Sequence, residues 1–397
     1  MGVGESSGLV SPPFESLDGQ SDIQASAEEL RNASVPVSEA GCRNCADPCD
    51  QGHEEYPDRF DVDRETQMYG SVKPYRRQVI ISTGKSDWAF DIAFESGSLA
   101  SYLSSASGST PKPKKQKTEG GGSNGTSPQV NGKEKDKANE KDKNKDKDKE
   151  KEKEKPKKPD PGTFNTSTAK RISILNGSHH TVCDDVKRES VLVFPDYKLV
   201  TEVERSKQGA AQLWRAAVSP AVGRAGEILG DESPIRSWVL PYSCVILLCS
   251  HKRRDNRCAI SAPILEEGFT TSLEREGWEV HRQLEDPSHH GQPLEEFKGT
   301  DDEREAEVIR QLKQLDPSTV DTKRALILRN SHIGGHKFAG NCIIYTPHGA
   351  AVWYGRVTPH NIDPIVKETI IDGKVLPEFL RGGANISQPG HESLYQW

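Results

Sequence analysis

Two stretches of this chain carry no hydrophobic pattern, and they frame the parts that do. Residues 1–40 are rich in Ser, Glu and Gly with little apolar periodicity, and predict a disordered tail. Residues 104–162 are Gly, Ser, Lys and acid, with Lys alternating with Asp or Glu through 147–155, and predict a disordered insertion in a folded domain. An insertion of that length is tolerable because each doubling of a loop costs only about 0.6 kcal/mol of closure entropy. Around it, 77–82 and the β-branched runs at 171–175 and 190–194, bounded by Gly and Pro, read as strands. A helix is expected near 90–103. Together these imply an N-terminal α/β domain built from 41–103 and 163–235.

The last part of the chain is more sharply patterned. Residues 242–249 form a continuous apolar run, as expected of a strand buried on both faces. Ser261 is placed to N-cap a helix with Pro263 in its first turn. Leu265, Phe269 and Leu273 follow one turn apart until Gly277 stops the helix. A short strand at 278–282 leads to a capping box, Thr300 with Glu303. The helix it opens carries Val308, Ile309, Leu312 and Leu315 on one side and ends at Pro317. Strands follow at 325–329, 342–345 and 351–357, then a helix at 362–371 closed by Gly373. The order β-α-β-α-β-β-β-α contains one parallel crossover followed by a hairpin and a helix, as in a thioredoxin-like domain, expected over 236–397. The fold class is α/β, or α+β.

Composition narrows the function classes. The chain has 397 residues, a net charge of −7 and a hydrophobic fraction of 33%. Mild acidity argues against nucleic-acid binding. No run of about 18 apolar residues is available to span a membrane. The first twenty residues carry Glu5, Glu15 and Asp18 and no Arg or Lys, which excludes a secretory signal and disfavours a mitochondrial presequence. The expectation is a cytoplasmic protein, with the Lys-rich 111–117 as a pattern compatible with a nuclear signal. Gly2 fits the loose myristoylation pattern. Eight cysteines stand at 42, 45, 49, 183, 244, 249, 258 and 342. In a reducing compartment they point to metal or redox work rather than disulfides.

One constellation stands out. Cys249 closes the first strand of the C-terminal part, and a polar loop containing Lys252, Arg253, Arg254 and Arg257 leads to Cys258 at the next helix. Basic neighbours and a helix N-terminus favour thiolate over thiol. Farther on, His332 and His336 flank Gly334-Gly335 between two strands. Adjacent glycines disfavour a regular helix and allow a tight loop that brings both imidazoles to one point. Two thiolates and two imidazoles suit Zn²⁺, and equally a [2Fe–2S] cluster. The spacings C-x8-C and H-x3-H match neither a zinc finger nor a Rieske centre, so the residues alone leave the metal open.

The same motifs resemble a known family. Cys249-x8-Cys258 with Arg257, the loop His332-Ile-Gly-Gly-His336-Lys-Phe-Ala-Gly-Asn, and the stretch from Trp353 through Tyr-Gly-Arg-Val-Thr to Pro359 are similar to the sucrase/ferredoxin-like family. So are Phe194-Pro195-Asp196-Tyr197 and Cys42-x2-Cys45-x-Asp47-Pro48-Cys49. The resemblance implies a C-terminal thioredoxin-like ferredoxin domain with a [2Fe–2S] cluster on Cys249, Cys258, His332 and His336. It implies an electron carrier, rather than a stand-alone enzyme, in redox or iron homeostasis. It also implies a redox partner protein, and a role for Trp397 as a handle for cytosolic iron–sulfur assembly machinery. No carboxylate pair sits in a glycosidase context, and no flavin or nicotinamide fingerprint is present.

Other residues rank lower. Cys42, Cys45, Cys49 and His53 have spacings a second zinc site could use. Cys342, Cys183 and Cys244 read as packing residues. His251 is placed to support a ligand, and Lys252, Arg253 and Arg254 to guide an acidic partner. Two other classes of function compete with the electron carrier. One is an interaction module with a structural Cys2His2 zinc; the other is a thiol–disulfide enzyme with Cys258 resolving Cys249.

An imidazole ligand with a free ring N–H can lose a proton, so cluster reduction should couple to pH. The midpoint potential is expected to change between pH 6 and 9; a flat profile in protein-film voltammetry would contradict His ligation with a free N–H.

Overall fold

The computed structural model describes residues 26–108, 162–230 and 233–396. Gly2, the nuclear-type pattern at 111–117, the Lys/acid alternation and Trp397 lie outside them. The strands, in chain order, are β1 (Arg77–Ser82), β2 (Thr163–Phe164), β3 (Ile172–Gly177), β4 (Arg188–Phe194), β5 (Lys198–Glu204), β6 (Arg236–Val239), β7 (Cys244–Cys249), β8 (Glu279–His281), β9 (Arg324–Asn330), β10 (Cys342–Tyr345), β11 (Ala351–Tyr354) and β12 (Leu380–Ala384). The helices are α1 (Ala27–Asn32), α2 (Leu99–Ala106), α3 (Lys207–Leu213), α4 (Asn256–Arg275), α5 (Asp301–Lys313) and α6 (Ile362–Pro364), the last running on as a π-helical turn through Ile365–Ile371. The fold is mixed α/β, as expected.

Among the described residues all twelve strands belong to one sheet, in the order β2-β12-β11-β10-β7-β9-β3-β1-β4-β5-β6, with β8 on β9. β7 and β9 pair in parallel, Cys244 beside Ala325 through Cys249 beside Asn330. β10 is antiparallel to both β7 and β11, the hairpin expected after a crossover. The sheet does not break at residue 235, because β6 pairs antiparallel with β5 of the N-terminal half.

The halves are joined by three strand pairings, β5 with β6, β2 with β12 and β3 with β9, the last at one residue pair. Gly177 of β3 meets Asn330 of β9. Ser178 N donates to Arg329 O at 2.9 Å, and Ser331 N donates to Asn176 O at 2.8 Å. Beyond this corner the halves turn their apolar faces toward each other. Leu192, Phe194 and Leu199 share one core with Val245, Leu247, Leu328, Ile343 and Trp353. Phe194 stacks on Tyr345 with ring centres 3.9 Å apart. The polar atoms carried into this seam are partnered, as burial demands. Tyr75 and Tyr345 hydroxyls bond at 2.7 Å, Trp353 Nε1 donates to Tyr75 at 3.2 Å, and Tyr345 donates to Gln78 at 3.0 Å. Arg77, also buried, is held by Asp196 at 2.6 Å and by the Ser219 and Val222 carbonyls.

Three local expectations change. Helix α4 starts five residues before Ser261, at Asn256, with Asp255 as its cap. Asp255 Oδ1 accepts from Arg257 N at 3.0 Å, whereas Ser261 Oγ turns back to the Cys258 carbonyl, so Pro263 lies inside the helix. Leu265, Phe269 and Leu273 still form its buried stripe. The helix expected over 90–103 is a short turn at Ile92–Phe94 followed by α2. α2 also takes in 104–106 of the stretch read as insertion, with Leu99, Ala100, Leu103 and Ser104 buried.

The tail reading of 1–40 changes as well. A capping box between Ser26 and Glu29 opens α1 within it. Leu30 and Val35 sit in the core against Val375 and Leu394, and Val37 bridges to Val375. Leu30 is fully buried, so Leu30→Ala should lower stability by about 2–5 kcal/mol, as large-to-small core changes do. Urea unfolding of the full chain would measure it; a change under about 0.5 kcal/mol, typical of surface sites, would return this segment to the tail.

Candidate metal centre

Parallel pairing sends the chain out of β7 and β9 at the same edge of the sheet. Cys249 is the last residue of β7, and its register partner Asn330 is the last of β9. The loop after β7 reaches α4, where Cys258 occupies the third helical position. The loop after β9 carries His332 and His336. The four residues expected to act together therefore come from one strand end, one helix start and one loop.

The two thiols are almost fully buried, 2% and 1% exposed. The neighbouring Cys258 thiol holds Cys249 well below the ordinary thiol value, helped by His332 and the Ile333 backbone N–H. Cys258 is pushed up by Cys249 and by burial. Arg257 is spent on Asp255 at 2.8 Å. Arg254 lies over the Phe90 ring at 4.1 Å, and Arg253 pairs with Asp87 at 3.4 Å. Lys252 is exposed.

His332 and His336 have ring centres 5.4 Å apart. His332 Nδ1 is buried and has no hydrogen-bond partner. That is a costly state for a ring nitrogen unless a ligand takes it. Burial and the neighbouring His332 lower the proton affinity of His336, which is exposed while the thiols are not. Two buried thiols thus adjoin His332, with exposed His336 beside it.

Supports of the loop went unread in the sequence. Arg381, 1% exposed, lies under it. It donates to Gly334 O at 3.2 Å, Asn341 Oδ1 at 2.7 Å and Ser71 Oγ at 3.2 Å. Asn341 Nδ2 donates to Gly335 O at 3.0 Å. His251 behaves as the sequence suggested. Its Nδ1 accepts from His332 N at 3.2 Å, which leaves Nε2 to donate to Trp88 O at 2.9 Å. Trp88 belongs to the N-terminal half, so this imidazole ties both halves to the loop.

A second group differs from expectation. Cys45, Cys49 and His53 come together with His360, all donor atoms within 4.8 Å of one another. Cys42 does not join them; it bonds Glu378, and burial pushes its thiol up. His360 was missed because it lies 315 residues from Cys45, on a turn with no local signal of its role. Glu279, His281 and Glu285 also lie close together, but both carboxylates hold Arg324. Cys244 and Cys342 are packing residues whose thiols burial pushes up, Cys342 to about 12. Cys183 accepts from Glu202 N at 3.1 Å.

Gly335 is left-handed at φ +66, ψ +36, and a Cβ there would stand 2.3 Å from Arg381 Nη2. Gly335→Ala should therefore destabilise the protein by about 1–3 kcal/mol through backbone strain and displacement of the guanidinium. Denaturant unfolding beside the wild type measures the loss; equal midpoints would mean that the loop does not rest on Arg381.

Comparison with known proteins agrees with the motifs. A protein called altered inheritance of mitochondria protein 32 from Clavispora lusitaniae is 30% identical over 154 residues, 39% of this chain and 38% of that one. The protein of that name from Debaryomyces hansenii is 33% identical over 141 residues, 35% of each chain. Actin patches distal protein 1 of Saccharomyces cerevisiae is 30% identical over 127 residues, 32% of this chain and 29% of that one. The chain thus spans about a third of the length of these curated relatives. The name shared by the first two speaks of mitochondria, whereas the sequence pointed to the cytoplasm. No solved structure matches. The sucrase/ferredoxin-like family profile matches residues 68–382, most of the described sheet, and the chain belongs to that family.

Proposed function

We propose that the protein is an electron carrier whose [2Fe–2S] cluster is held by Cys249, Cys258, His332 and His336. The observation that carries this reading is the donor set. Two buried thiols adjoin His332, whose ring centre stands 5.4 Å from that of His336. Two thiolates and two imidazoles can hold a [2Fe–2S] cluster, and the family to which the chain belongs is ferredoxin-like. The orphaned His332 Nδ1 supports a ligand at this place. The strand order β11-β10-β7-β9, with β10 antiparallel, supports the thioredoxin-like arrangement of this part.

The cluster, when bound, supplies reversible one-electron transfer. The protein residues set its surroundings. Cys249 and Cys258 keep water from the sulfur side because both are buried. Exposed His336 forms the edge nearest solvent, where a redox partner can approach. Exposed Lys252 and the ion-paired Arg253 flank that approach and suit an acidic partner. Among the described residues no helix is long and apolar enough to cross a membrane.

Anaerobically purified protein should contain iron and acid-labile sulfide in near-equal amounts and give an EPR signal after dithionite reduction. His332→Ala or His336→Ala should abolish that signal. A colourless protein without sulfide would overturn the reading.

A further inference from the structure

The loop at 41–53 has no regular secondary structure, yet it packs four metal-binding side chains around one point. Three are its own, Cys45, Cys49 and His53; His360 comes from the turn Pro359–Asn361 after β11. Cys45 Sγ stands 3.4 Å from His360 Nδ1, and Cys49 Sγ 3.3 Å from His53 Nδ1. A tetrahedron with zinc–ligand bonds of about 2.0–2.3 Å has edges of about 3.3–3.8 Å, so these separations are those of a zinc site.

The far side of each ring carries the support that metal-bound histidines usually have. His360 Nε2 faces Glu55 Oε1 at 2.8 Å, and His53 Nε2 faces Asp363 Oδ2 at 3.9 Å. In both residues Nδ1 points at sulfur and Nε2 at a carboxylate. Arg43 Nε donates to Cys45 Sγ at 3.1 Å, a contact that favours thiolate. Asn361, beside His360, donates to Cys42 O at 2.9 Å and brings the segments together without metal.

We propose that Cys45, Cys49, His53 and His360 bind one Zn²⁺ ion, which fastens the N-terminal loop to the turn after β11 and is separate from the Cys249 and Cys258 centre. Its role is structural, since four protein ligands leave no open position.

The test is metal analysis of the full chain produced with iron and zinc supplied. The wild type should hold about one zinc per chain besides its iron. His360→Gln should lose the zinc and keep the iron, while His336→Ala should lose the iron and keep the zinc. Glu55→Gln should weaken zinc binding by about 10–100-fold in a chelator competition. In the wild type, iodoacetamide should label Cys45 and Cys49 slowly before chelation and rapidly after it. That readout stands even if a variant fails to fold. A wild type without zinc, zinc retained by His360→Gln, labelling indifferent to chelator, or a Cys45–Cys49 disulfide in freshly prepared protein would each overturn the proposal. None of these results depends on whether the iron site is as proposed.

Discussion

The parallel register of β7 on β9 decides where everything else must go. With Cys249 opposite Asn330, both strands end at the same level and their loops leave side by side. A slip of one residue would turn Cys249 to the other face of the sheet. The continuous apolar runs of both strands, buried on both faces, leave no solvent-facing alternative. Helix α4 then delivers Cys258 from above, and the double glycine turns the histidines back.

Holding that loop creates a charge problem that Arg381 resolves. A buried guanidinium is costly unless its donors are satisfied, and burial lowers its proton affinity. Here it is satisfied by two groups from the histidine loop region and by Ser71. Its positive charge sits behind Cys249, Cys258 and Cys342, which favour it in turn. The loop shape and the tolerance of anionic sulfur thus come from the same side chain. His251 adds a neutral brace between Trp88 and His332, so the N-terminal half takes part in the site without supplying a thiol or imidazole to it.

Local pattern made much of this legible. The apolar run of β7, the α4 stripe and the Thr300 capping box all depend on near neighbours in sequence, and they appear where expected. The placing of Cys249 at a strand end and of His332 and His336 on the adjoining loop followed from the apolar runs and a glycine pair. What could not be read depends on distant pairings. Arg381 looks like an ordinary strand residue until its burial is known. His360 completes its group only because Cys45 folds back onto it. The Ser26 and Glu29 capping box was present in the sequence, but α1 carries a single buried Leu, too little for periodicity to register. The joining of β3 to β9 through one residue pair leaves no periodic trace at all.

The seam beside that pair has a consequence for modularity. It is lined on one side by Leu192, Phe194 and Leu199 and on the other by Leu247, Ile343 and Trp353. Its polar groups, Tyr75, Gln78, Tyr345 and Trp353, find their partners across it. Cut at 235, each piece would present a bare apolar sheet face studded with unmatched hydroxyl and amide groups. The halves are therefore not exchangeable cassettes. A substitution on one side of the seam alone would leave its neighbour across it unpacked or unbonded.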